Sequence, residues 1–451
     1  MTPAPLGWLG IVRLGLVQAG IGAVVVLTTA TLNRVMVVEL ALAAAVPGTL
    51  VALHHAVQIL RPKFGHGSDV GGRRTPWIIG GTAVLACGGL LAAVATAWTA
   101  EARLPGLALA VFAFVMIGAG GAAAGTSLLA LTAARVAPER RPAAAAVVWL
   151  MMIAGFVVTA AIAGAMLDPF STTRLVAVAA GVAVGAFVVA TVAVWGLEGP
   201  KAVPRATTDA PPPAFRVAMA QIWAEPEARR FTLFVFVAML AYSLQDLILE
   251  PFAGLVFGLT PGESTRLASY QYGGVLIGMI AVALIGNRGL APKGWMRRWT
   301  IGGCVASGAA LAALALGGVI GEGFPLRPAV FTLGLANGVF AVAAIGSMMV
   351  LAGSGGGGRE GVKLGLWGAS QAIASALGGF LGTVFVDLAR FAFGSAVVAY
   401  GTVFAVEAAL FLAAAVLAAR VAAAPTPGGG GPATLPVNPQ RGALAADIGG
   451  G

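Results

Sequence analysis

Charge is what this sequence has least of: Asp, Glu, Lys and Arg make up only 10% of its 451 residues. A chain so poor in charge has too little polar surface to cover a water-facing globule. Histidine and cysteine are scarcer still, at 3 and 2 residues. Cys87 and Cys304 fall in apolar segments of different halves, without metal-ligand spacing, and are read as small core residues. There is no Gly-Lys-Ser/Thr phosphate loop, no metal-spaced Cys/His cluster and no nucleophile and base in a motif context. Neither an enzyme activity nor a metal site is therefore expected. The glycine run Gly353–Gly358 lacks a preceding strand and a lysine, and is read as a turn. The formal charge of +10 is spread through the chain without the clustered basic and aromatic pattern of a nucleic-acid surface. No cleavage site of small residues follows the first apolar run, which is expected to open the bundle.

Apolar sequence is what remains, with 59% hydrophobic residues, 65 glycines and a mean hydropathy of +0.93. A hydrocarbon layer about 30 Å thick needs roughly 20 apolar residues per helix. Twelve such runs lie between charged breaks, the second near 42–60, the seventh near 230–256 and the last near 393–419. The expected fold is an all-α integral membrane protein of about twelve transmembrane helices in two six-helix halves. Residues 1–197 would form the first half, 198–229 a linker containing Pro211, Pro212 and Pro213, 230–422 the second half and 423–451 a disordered Gly/Pro-rich tail. With both termini in the cytoplasm, all 27 Lys and Arg fall on the cytoplasmic side except Arg34, Arg103, Arg174, Arg266, Arg327 and Arg390. That asymmetry fits an even number of crossings of a bacterial inner membrane.

The loop between the second and third runs reads Gly65-His66-Gly67-Ser68-Asp69-Val70-Gly71-Gly72-Arg73-Arg74. It resembles the loop signature of the major facilitator superfamily, with Gly65, Asp69, Gly72, Arg73 and Arg74 in the expected places and Val70 where a basic residue is usual. Glycines allow a tight turn, and an acid beside arginines can latch neighbouring helix ends; the plainer reading is a basic loop that only sets orientation. The matching loop of the second half, 286–298, keeps a glycine and paired arginines without the acid, as a degenerate repeat would.

A narrower resemblance rests on three stretches: Thr31–Leu40 (TLNRVMVVEL), Arg73–Ile78 (RRTPWI) and Gln245–Phe252 (QDLILEPF). Together they look like the PucC/LhaA family, the bacteriochlorophyll delivery branch of that superfamily. The resemblance implies a membrane protein that binds or delivers bacteriochlorophyll while light-harvesting complexes assemble in the intracytoplasmic membrane of a photosynthetic bacterium. Its partners would be membrane lipids, the pigment, and antenna polypeptides or pigment-synthesis enzymes. The alternatives are a proton-coupled transporter of a small solute and a pigment-free assembly scaffold.

From spacing alone, Asp246 and Glu250 stand four residues apart and would share one face of the seventh helix, with Gln245 beside them and Pro251 ending or kinking the turn. Acids inside a membrane mark functional sites by default, and such a pair could exchange protons. The plainer reading places them at the outer helix end, solvated or paired with Arg34 or Arg266. His54 and His55 lie in the second run, where a neutral imidazole could ligate the magnesium of a bacteriochlorophyll, or simply bond to a neighbouring helix. Gln58 shares the face of His54 and would extend a polar patch. Gln18, Asn337, Gln371 and Glu407 either line a cavity or hydrogen-bond across helices. Trp77, Trp98, Trp149 and Trp299 sit near span ends and are read as an interfacial belt.

Overall fold

Lipid offers no partner for a bare N–H or C=O, so these apolar runs cross it as helices that satisfy their own backbone. The computed structural model describes residues 5–61, 64, 73–137, 140–198, 223–287, 295–353 and 360–421. Gly65, Asp69 and Gly72, the triple proline, the run after Gly353 and the tail lie outside the described residues.

Helix α1 (Trp8–Val26) continues through π-helical turns at Leu27–Leu32 and Val35–Glu39 to complete a 32-residue span. The widening coincides with Thr28 and Thr29, whose hydroxyls bond back to the carbonyls of Val24 and Val25 at 2.8 to 3.1 Å. Such back-bonding competes with the α-helical ladder and loosens it. Next come α2 (Ala45–Val57), α3 (Thr75–Glu101), α4 (Arg103–Arg135), α5 (Arg141–Leu167) and α6 (Thr172–Val194). The second half holds α7 (Pro226–Leu244), α8 (Leu249–Phe257), α9 (Pro261–Asn287), α10 (Trp295–Ile320), α11 (Leu326–Gly353), α12 (Glu360–Phe393) and α13 (Ala396–Arg420). Among the described residues, 11 helices are long and apolar enough to cross a membrane, and the shorter α2 fills the second position.

The seventh span differs from its expectation. A 3-10 turn at Gln245–Leu247 separates α7 from α8, so Asp246 and Glu250 do not share the face of one continuous α-helix. Pro251 supplies the reason, because it has no N–H to meet the carbonyl of Leu247. Helix α8 ends at Gly258, which takes a left-handed conformation at φ 67°.

Two cores follow the two halves. One gathers Ile11, Phe114 and Leu197 among others, and takes only Leu247 from beyond residue 198. The other runs from Phe231 to Ala418 and is rich in aromatic contacts, with Phe252 packed edge-on against Phe404 at 4.9 Å. Cys304 is buried in this second core as expected, whereas Cys87 is exposed on the surface of α3. Small residues set the closest helix approach. A Cβ on Gly334 or Gly338 of α11 would lie 1.9 or 2.1 Å from the carbonyl oxygens of Gln271 and Val275 on α9.

The halves meet where α5 packs on α9 and α2 on α12. The chain begins at one end of the bundle, here the terminal end, and the tethers between halves gather at the opposite, far end. There Asn33 donates to the carbonyl of Leu247 at 2.7 Å, and the hydroxyls of Thr31 and Thr265 lie 3.1 Å apart. Asp387 of α12 accepts the N–H groups of Ala44 and Ala45 at 3.0 and 2.7 Å, where α2 begins. Asp168 accepts from the Thr260 hydroxyl at 2.9 Å and pairs with Arg266 at 3.0 Å.

Candidate functional site

Between the terminal end and the middle of the bundle, α5 faces α7, α9, α11 and α12 across a partly open cavity of about 100 Å³. Phe234, Phe340, Met239 and Met279 stand in its largely apolar wall, and the lining residues with polar groups are Trp149, Tyr242 and Gln371. No charged side chain lines it among the described residues. Trp149 thus stands on the cavity wall rather than serving only as an interfacial anchor. Gln371 makes no hydrogen bond among the described residues, and its helix is pinned beside it. The indole of Trp367 donates to the Thr232 hydroxyl at 3.1 Å, and the Ser370 hydroxyl donates to the Thr232 carbonyl at 3.3 Å.

Deeper in the bundle lies an acidic cluster. Glu250 and Glu407 are buried with both carboxylate oxygens unpartnered among the described residues, as are both amide atoms of Gln245 and one oxygen of Asp246. Glu407 lies within electrostatic reach of Asp246, as do Tyr242 and Tyr272. Tyr242 therefore joins the cluster to the cavity. Neither Asp246 nor Glu250 makes an ion pair among the described residues, although Arg34 lies within electrostatic reach of Glu250. Arg34 pairs with Glu39 and also donates to the carbonyl of Leu259, while Arg266 pairs with Asp168. Gly254 lets the Arg34 guanidinium lie against α8, since a Cβ there would sit 3.0 Å from it.

The histidine pair lies elsewhere, on α2. His54 is buried, with its ring stacked on His55 at 4.7 Å and its Nε2 2.7 Å from the Gln58 amide nitrogen. Arg61 donates to the Gln58 oxygen, which leaves Gln58 as donor to His54 and engages the lone pair on Nε2. His55 is half-buried. Of the loop motif, Arg73 and Arg74 are described. The acid that meets this loop is Glu198, which follows α6: it accepts the N–H groups of Arg74 and Thr75 at the start of α3, while its carbonyl accepts from Arg135 at 2.8 Å. A linker beginning at Glu198 gave no hint of this docking. Asn337 accepts from the Ser307 hydroxyl at 2.8 Å, a cross-helix bond, and the Gln18 amide nitrogen lies 3.1 Å from the Met152 sulfur.

Two six-span halves, joined across α5–α9 and α2–α12 around a central cavity, define a multi-pass membrane protein with the major facilitator fold. The nucleoside transporter NupG has this shape, with a TM-score of 0.67 at 11% identity over 91% of this chain and 99% of that one. The model of the PUCC protein family matches residues 31–425, and the chain belongs to that family. It is 53% identical over 419 residues to the "Bacteriochlorophyll synthase 44.5 kDa chain" of Rhodobacter capsulatus, covering 93% of this chain and 96% of that one. "Protein PucC" of Rhodobacter capsulatus is 30% identical over 423 residues, 90% of each chain.

Proposed function

We propose that this protein binds bacteriochlorophyll and hands it on during assembly of light-harvesting complexes, acting as a carrier rather than an enzyme. The observation that carries this reading is the uncharged, aromatic- and methionine-lined cavity, in a chain more than half identical to a relative named for bacteriochlorophyll synthesis. Apolar pigment surface laid against that wall is stabilised by burial, at roughly 25 cal/mol per Å², and a charged solute finds nothing there to pair with. The synthase wording belongs to the relative, and this chain would work beside pigment-synthesis enzymes or antenna polypeptides as partners. Its site would be an intracytoplasmic inner membrane with both termini cytoplasmic, which the Lys/Arg asymmetry supports. The two large cores, each drawn almost wholly from one half, support a division into halves at 1–197 and 230–422. His54 and His55 are a second proposed pigment contact, with Gln58 orienting His54.

The test is pigment extraction and an absorption spectrum on detergent-purified protein from a photosynthetic host. Stoichiometric bacteriochlorophyll in the wild type, lost on filling the cavity with Ala341→Trp, is the expected result; loss in His54→Leu or His55→Leu instead moves the site to α2. A colourless wild type refutes the carrier, and cross-linking to antenna subunits would then favour a scaffold.

The unpartnered Asp246, Glu250 and Glu407 favour one other reading, a proton-coupled transporter. Proton-driven uptake into proteoliposomes that disappears in an Asp246→Asn, Glu250→Gln double variant would establish it.

A further inference from the structure

On the outer side of the second half, α10 and α11 leave a lateral groove of about 400 Å³, against about 100 Å³ for the cavity at α5. Its wall is apolar, formed by Gly302, Gly303 and Ala306 of α10 and Leu335, Ala336 and Val339 of α11. Small residues make the groove. A Cβ on Gly303 would lie 2.7 Å from the Phe340 nitrogen, so this glycine lets the helices close the floor, whereas one on Gly302 would meet nothing within 4 Å. Gly302, Ala306 and Thr332 are exposed, so the groove opens sideways to lipid rather than into the bundle. The bond from Ser307 to Asn337 sets the register of the two helices. At 1.5 Å per residue, the path from Arg298 to Ser307 and on from Asn337 to Thr332 is about 20 Å long, more than the half of a roughly 30 Å hydrocarbon layer that one leaflet's chains fill.

At the terminal end of the bundle the rim of the groove changes character. Arg298 and Trp299 stand there, where α10 begins. Arg297 is engaged, donating to the Ala419 carbonyl, whereas Arg298 is exposed and makes no hydrogen bond or ion pair among the described residues. The surrounding sequence offers it no acid: residues 264–321 hold Arg266, Arg288, Lys293, Arg297 and Arg298 without one Asp or Glu, and α11 has none either. A guanidinium meets phosphate oxygens through its planar fork, and an indole suits the headgroup level of a bilayer. Basic residues at the mouth of a groove between spanning helices favour an anionic headgroup over a zwitterionic one, whose own cation they repel.

We propose that the α10–α11 groove is a binding site for an anionic phospholipid, with an acyl chain laid along Gly302, Ala306 and Val339 and the phosphate held by Arg298. The groove and the cavity at α5 use different residues of α11, so the site stands whether or not the protein carries pigment.

The experiment incubates delipidated full-length protein in detergent with equal amounts of dioleoyl phosphatidylglycerol and dioleoyl phosphatidylcholine, which share their chains, and counts the lipid retained per chain by native mass spectrometry. Wild type is expected to favour phosphatidylglycerol about fivefold, the share of one basic residue near a membrane surface. Arg298→Gln should abolish that preference, whereas Arg230→Gln, an exposed arginine at the same end on α7, should leave it unchanged. Gly302→Leu, which fills the groove, should lose both lipids without a fall in melting temperature, and Ala306→Leu repeats this test if Gly302→Leu does not fold. Full preference in Arg298→Gln, or full lipid retention by a folded groove variant, overturns the proposal. So does a wild type that prefers neither lipid, or an equal loss of preference in Arg230→Gln, which would assign the effect to general surface charge.

Discussion

The side chain of Asn33 donates at 2.7 Å to the main-chain carbonyl of Leu247, the carbonyl for which Pro251 has no N–H to offer. A proline that breaks the seventh span thus creates an acceptor, and the end of the first span satisfies it across 214 residues of sequence. The bond also ties the two halves together at the far end of the bundle.

Removing the donor tests that pairing. Asn33→Leu is expected to cost about 1–3 kcal/mol, the penalty of leaving a buried carbonyl unmet. In a Pro251→Ala background the helix regains its own N–H, so the same substitution should cost measurably less. Thermal unfolding of the four proteins in detergent forms the cycle, and equal costs in both backgrounds would disprove the coupling.

Asp387 and Asp168 tie the two halves together at the far end, where Thr265 is only 1% exposed. A cysteine placed at Thr265, in a chain carrying Cys87→Ser and Cys304→Ala, should react slowly with a membrane-impermeant maleimide. Adding Asp387→Ala or Asp168→Ala should raise the labelling rate several-fold, in keeping with the loss of about 1–3 kcal/mol of charge-assisted hydrogen bonding. Unchanged labelling in both would show that packing alone closes this end.

Gly334 bears the tightest approach in the α9–α11 contact. Gly334→Ala should destabilise the protein by about 1–3 kcal/mol, the range seen for overpacking, with visible loss of monodisperse protein on heating. Gly273→Ala, on α9 where nothing lies within 4 Å of the added methyl, should be neutral or slightly stabilising. Equal melting temperatures for the two variants would contradict the close packing.

Glu198 acts as a remote cap on α3, where a carboxylate meets the positive end of a helix. Glu198→Ala is expected to cost about 0.5–2 kcal/mol, the usual price of a lost cap. Proteolysis between Arg61 and Arg73 should accelerate in parallel, and a cleavage rate equal to wild type would show that the cap does not govern this segment.

In the cavity, Ala344→Trp should behave as Ala341→Trp does, abolishing pigment retention without lowering the melting temperature by more than a few degrees. Pigment content and unfolding measured on the same preparations check this. Full pigment retention in both variants would remove the cavity from the binding path.

The sequence by itself determined that the chain crosses a membrane about twelve times as helices, because roughly 20 apolar residues match the hydrocarbon thickness and lipid leaves the backbone no other way to bond. It also marked the paired acids and the loop arginines, since charges in so apolar a chain stand out. What it left open depended on helix rotation and on partners far away in sequence. Spacing put Asp246 and Glu250 on one helical face, yet Pro251 breaks that helix between them, with Asn33 as a distant partner. Gln371 and Trp149 were legible only as polar or interfacial residues, and packing placed both in the cavity wall. His54, a conspicuous ligand by residue type, was turned into a bond with Gln58. Hydropathy counts what a helix contains; only the side-by-side packing of helices fixes which side each residue faces and which groups meet.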